Sequence, residues 1–89
     1  MNLAEVKGTI WATRKDQNFS GLKLQLIQPI SVKQEKTGDT LIAVDTVGAG
    51  TGEIVFFVTA SEAVIPLDKK PALVDASIVG IVDKIEVDL

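Results

Sequence analysis

The residues in this chain most capable of chemistry are Asp45-Thr46-Val47-Gly48-Ala49-Gly50-Thr51-Gly52-Glu53, three glycines at alternate positions with a carboxylate at each end. Lacking Cβ atoms, Gly48, Gly50 and Gly52 can take positive φ and let a backbone or a ligand come into contact. Phosphate is the first ligand to test, and the spacing does not serve it. A dinucleotide fingerprint needs glycine where Glu53 stands and a helix afterwards, whereas Ile54-Val55-Phe56-Phe57-Val58 is strand material. The helix N-terminus that would receive a pyrophosphate is therefore missing from the pattern. No glycine precedes a Lys-Ser/Thr pair, which removes a P-loop. Asp45, Glu53, Asp75 and Asp83 are the residues for a carboxylate dyad or a hard-cation site. They border strands and loops, where carboxylates cap turns or pair with a neighbour's basic residue. The sequence has neither His nor Cys, so the commonest general base, the usual zinc ligands and the thiol nucleophile are all absent. No hydroxyl stands beside an evident base. The glycine segment reads as a turn or a subunit contact, and the chain as a non-enzyme without cofactor or metal.

The elements that must position this loop are mostly strands. Eighty-nine residues, 46% of them hydrophobic, make one domain over 1–89, near the lower limit for a single core. From Ala4 the even positions Ala4, Val6, Gly8, Ile10 and Ala12 are apolar or small, with Trp11 alone as a large apolar residue on the polar side. Leu22, Leu24 and Leu26 share a face opposite Lys23 and Gln25 until Pro29 disrupts the ladder or marks an edge. Ser31 to Thr40 reads as a charged connection turning at Thr37-Gly38-Asp39. Leu41 to Val44 and Glu53 to Thr59 flank the glycine loop as strands. Thr59-Ala60-Ser61-Glu62 fits a capping box and predicts a short helix stopped before Pro66. Ser77 to Leu89 reads as a long last strand with Ile81, Ile85, Val87 and Leu89 on one face. The sum is a mainly β chain: a small five-stranded OB-like barrel with one short helix between the last two strands.

Such a barrel has one interior, and the chain has more apolar strand surface than one interior needs. Leu41-Ile42-Ala43-Val44 and Ile54-Val55-Phe56-Phe57-Val58 are apolar on both faces, so their outer faces require a cover, either the helix or another copy of the chain. Trp11 reads equally as an anchor between subunits or as the floor of the barrel. Arg14, Lys15, Asp45, Glu53 and Phe57 complete the candidate subunit contacts.

The chain resembles, from end to end, the EutN/CcmL family of bacterial microcompartment vertex proteins. The similar segments are Ala4 to Thr9, Thr13-Arg14-Lys15 with Gly21-Leu22-Lys23-Leu24, Gln28-Pro29, Asp45 to Gly50, and Asp75 to Asp83. Ser77 stands where Ala is expected, and Ile54 to Phe57 is more aromatic than usual. The resemblance implies an OB-like barrel assembled as a homopentamer, capping a vertex of a carboxysome or metabolosome among hexameric shell proteins in the cytoplasm. It implies that the glycine loop lines the ring axis, with Gly48, Ala49, Gly50 and Thr51 around a narrow opening.

Two other functions fit a small barrel: an adaptor domain, and a binder of single-stranded nucleic acid. The second needs a basic groove with stacking aromatics. A net charge of −3 with one Trp and three Phe argues against it. The longest unbroken apolar run, Ile54 to Val58, is too short to span a bilayer, and the N-terminus lacks a signal-peptide pattern. Neither nucleic acid nor membrane is an expected partner.

Overall fold

The computed structural model describes residues 2–12, 22–59, 65–67, 70–72 and 76–87. They form strands β1 (Asn2–Ala12), β2 (Leu22–Ile30), β3 (Leu41–Asp45), β4 (Ile54–Thr59), β5 (Ile65–Leu67), β6 (Lys70–Ala72) and β7 (Ala76–Val82). Five of these close into a barrel in the order β1-β2-β3-β7-β4, with β4 returning to β1, while β5 and β6 pair with each other. Neighbouring barrel strands are antiparallel except β3 and β7, which run parallel through Ala43↔Ala76, Val44↔Ser77 and Asp45↔Ile78. The five-stranded barrel matches the sequence reading. The helix expected after Thr59 lies outside the described residues, which contain no helix; Thr59 itself ends β4.

The interior is narrow, and its residue types follow from that. Ala4, Ala43 and Ala76 bring strands close together, leaving room for Val6, Ile27, Val55, Phe57 and Ile78, all buried in one cluster. Register assigns the faces. Val6 pairs with Ile27, Ala4 with Val55 and Phe57 with Ile78, and residues directly opposite share a face.

Two irregularities change which residues point inward. The β1–β2 register shifts between Val6 and Gly8, so one extra residue, Lys7, reverses the parity of the strand. Beyond it Thr9 lies on the inner side with Gln25, and Ile10 on the outer side with Leu24. The uniform even-numbered apolar face read from the sequence therefore ends at Val6. The second shift, between Phe56 and Phe57, leaves Val79 unpaired against β4 and 47% exposed.

Strand β2 also departs from expectation. Gln25 and Ile27 are fully buried, while Leu24 and Leu26 are half-buried on the outside. Alternation fixes which residues share a face, but it does not say which face is the core when both carry apolar residues. Pro29 does not end the ladder: β2 continues to Ile30, and the Pro29 carbonyl accepts a bond from the Thr37 amide. The connection to β3 turns earlier than predicted, at Ser31–Gln34, where the Gln34 amide donates to the Ser31 carbonyl at 2.8 Å and Gln34 takes φ 64°. The last strand is shorter than predicted, and residues 83–87 make no ladder.

Candidate functional site

Asp45 ends β3 on the inner face, directly opposite the buried Ile78, and its carboxylate organises the loop that follows. Oδ1 accepts from the amides of Val47 at 3.0 Å and Gly48 at 2.9 Å. Oδ2 accepts from the amide of Ala49 at 3.0 Å and from Gln25 Nε2 at 2.9 Å. Lys23 Nζ completes the set at 3.3 Å from Oδ2. A short acidic side chain that collects the amides of the next few residues is the usual way to hold a turn. Here the turn is wrapped around the carboxylate at the mouth of the barrel.

Gln25 makes the second half of the support. Its amide donates to the Ala49 carbonyl at 2.7 Å as well as to Asp45, and its Oε1 accepts from Thr9 Oγ1 at 2.7 Å. Lys23 also donates to the Ala49 carbonyl, at 3.3 Å. Among the described residues no buried side-chain nitrogen or oxygen lacks a partner, which is the condition for a buried polar network to stabilise a fold. The far side of the loop is tied to β1 at its bulge: Gly52 N–H donates to the Val6 carbonyl at 2.8 Å and Val6 N–H to the Glu53 carbonyl at 2.9 Å. Glu53 closes the tip by accepting the Gly50 amide on Oε1 while its own amide donates to the Gly50 carbonyl. Gly48 at φ +82° and Gly52 at φ +92° supply the left-handed positions that this path needs.

Burial pushes the Asp45 carboxyl upward, but bonds from Gln25, from the Val47 and Gly48 amides and from Lys23 outweigh it and hold the group below its ordinary value of 3.8. A depressed carboxyl contributes stability that is complete above the unfolded value, roughly pH 4, and lost as pH falls through the folded value. Urea unfolding followed from pH 6 downward is therefore expected to lose stability below about pH 4, with a shallower loss in Asp45→Asn, which cannot titrate.

The predicted site residues now have places. Gly48, Gly50 and Thr51 are exposed at the loop tip, but Ala49 is 1% exposed and packs into the core. Its methyl group points into its own barrel, so of the four residues expected to line an opening it presents none of its side chain. Trp11 is 73% exposed with Lys23 Nζ 5.9 Å from its ring centroid, which removes the barrel-floor reading. Asp45 was expected at a subunit contact, yet both its oxygens are engaged inside its own chain. Phe57, also expected there, is 3% exposed in the core. Glu53 is exposed and braces the loop. Arg14 and Lys15 lie outside the described residues. Gln25 and Thr9 were missed; the signal for them was the polar run on the Lys23–Gln25 face, unintelligible until the bulge at Lys7 brings Thr9 to the same side. The described residues contain no group of three or more His, Cys, Asp or Glu placed to hold a metal ion. A saturated carboxylate of this kind is a strut and has no lone pair left for proton transfer.

A family model described as ethanolamine utilisation protein EutN/carboxysome matches residues 1–83. The chain belongs to the EutN/CcmL family. It is 42% identical over 86 residues to the bacterial microcompartment shell vertex protein GrpN of Rhodospirillum rubrum, covering 97% of each chain. The solved structure of that protein, a pentameric microcompartment shell protein, superimposes with a TM-score of 0.76 at 39% identity, over 100% of both chains. The structure of Gloeobacter violaceus CcmL matches with a TM-score of 0.76 at 33% identity, over 99% of this chain and 91% of that one. EutN/CcmL proteins are structural vertex components of shells and not enzymes. That agrees with a loop whose polar groups are spent on holding its own shape.

Proposed function

We propose that five copies of this chain close into a ring that caps a vertex of a microcompartment shell in the cytoplasm. Flat hexameric shell proteins alone cannot close a polyhedron, and a five-fold unit at each vertex supplies the curvature. The observation that carries this reading is the outer wall of the barrel. Leu24, Leu26, Ile42, Ile54, Phe56 and Val58 lie half-buried there, outside a core that is already full. Ile10 and Trp11 add 41% and 73% exposed apolar side chains to the same end of β1. An apolar wall of this kind marks a protein–protein contact. At the ring axis, where five copies crowd, the tip formed by Gly48, Gly50 and Thr51 is short in side chain. Native mass spectrometry of the purified chain tests the ring: a five-subunit particle supports it, and a stable monomer at high concentration overturns it.

The two tip glycines separate the fold from the assembly. Gly50 has no positive φ, and a Cβ placed on it meets only the flexible Glu53 Oε1, at 3.4 Å. Gly50→Val is therefore expected to leave thermal unfolding of the isolated chain within about 1 kcal/mol of the parent while preventing ring closure. Gly48→Val meets open space but must hold φ +82°, a backbone strain of about 1–3 kcal/mol in the chain itself. Intact pentamers formed by Gly50→Val would refute the axial placement of the loop.

A further inference from the structure

Among the described residues, one strand edge and one strand-like segment form no ladder pairing. Strand β1 meets β4 only through Asn2–Glu5, with Val6 reaching Glu53 and Gly52. From Gly8 to Ala12 it is paired on the β2 side alone among the described residues. That open edge carries the exposed Ile10 and Trp11. The second segment is Asp83-Lys84-Ile85-Glu86-Val87, which alternates charged and apolar residues from Lys84 onward, yet forms no ladder after β7 ends at Val82. Val87 is 43% exposed. An exposed strand edge is a template for another chain, and a short alternating segment is what such an edge accepts.

We infer that residues 83–87 of one copy add as a strand to the Gly8–Ala12 edge of the next, making the seam of the assembly proposed above. The inference rests on that reading and names its contact. The faces of the two segments agree. With Ile85 and Val87 on the side of Ile10 and Leu24, Lys84 and Glu86 fall on the side of Trp11 and Lys23. Net charge agrees as well: the tail carries Asp83 and Glu86 against Lys84, which pairs with Glu86 at 2.6 Å in the single chain, while the edge contains no acid and has Lys23 beside it in register. A partner strand would also cover Trp11, and Glu86 would lie within reach of the Lys23 ammonium. Such pairing runs head to tail, each copy giving a tail and receiving one, which is the kind of contact that generates a ring.

The absence of cysteine from the sequence makes the test direct. Ile10→Cys combined with Ile85→Cys, and Ile10→Cys combined with Val87→Cys, are prepared in the full-length chain, oxidised mildly and run without reductant beside each single-cysteine variant. At least one pair is expected to give a ladder of two to five covalently joined chains, and the single variants no more than dimers. Native mass spectrometry is run on the same samples. A five-subunit particle with no ladder from either pair, or with the bond closed inside one chain, overturns the strand addition and leaves the ring standing. A monomer overturns both. Hydrogen exchange supplies an independent reading: amides of Gly8–Ala12 and of residues 83–87 are expected to be protected together in the ring, and free exchange at either segment within an intact ring overturns the seam.

Discussion

Asp45→Ala is expected to unfold about 3–5 kcal/mol more easily than the parent chain, since several donors lose their acceptor together and a buried donor left unsatisfied costs about 1–3 kcal/mol. The side chain is fully buried, and its loss strands several donors at once: the amides of Val47, Gly48 and Ala49, one bond of Gln25 and the ammonium of Lys23. Water cannot replace the acceptor without opening the barrel mouth. Lys23→Met is expected to cost less, because Lys23 is 28% exposed in its side chain and the other four donors keep their acceptor. Equilibrium urea unfolding of the three chains checks the order. A loss below about 1 kcal/mol for Asp45→Ala would show that the carboxylate does not hold the loop.

Trp11→Ala is expected to do the opposite, sparing the chain and dissolving the assembly. Within one chain the indole is 73% exposed and its described ring contact is the Lys23 ammonium, worth about 0.5–1 kcal/mol at an exposed site. At a subunit seam a buried tryptophan typically costs 2 kcal/mol or more on truncation, about a 30-fold weaker contact at each seam. Sedimentation over a dilution series should show rings dissociating at higher concentration than the parent, with the unfolding midpoint of the dissociated chain nearly unchanged. Identical dilution behaviour would place Trp11 away from the contact.

The barrel was readable from the sequence because β1 and β2 alternate while β3 and β4 are short apolar runs bounded by turn residues, and the glycine loop because three alternate glycines stand between those runs. The direction of the faces was harder. In β2 the leucines and Gln25 were placed on opposite faces with neither named as the core, and the chain buries the glutamine because Asp45 and Ala49 of the loop and Thr9 of β1 supply partners from distant stretches. Pattern alone cannot see partners at that separation. The bulge at Lys7 leaves no mark of its own either: Ala4 to Ala12 reads as one regular strand until β2 is laid beside it. Asp45 was noticed as a carboxylate and assigned outward, since charged residues are rarely inside unless paired. Its pairing depended on Lys23 and on the amides of its own loop. The last strand was read as running from Ser77 to Leu89, whereas β7 ends at Val82 and residues 83–87 make no ladder, because composition alone does not say where a strand loses its neighbour.

The strand order has a consequence for how the chain comes into being. Strand β7 sits between β3 and β4, so its place is a gap in the wall until residues 76–82 arrive. During synthesis, which proceeds from the N-terminus, β1 to β4 leave the ribosome before β7, with one margin of β3 and one of β4 bare. Completion waits on β7. Contacts so far apart in sequence form slowly, and neighbouring nascent chains on one messenger offer each other the same missing piece. Exchange of that segment between siblings is thus the misassembly to which this architecture is most exposed.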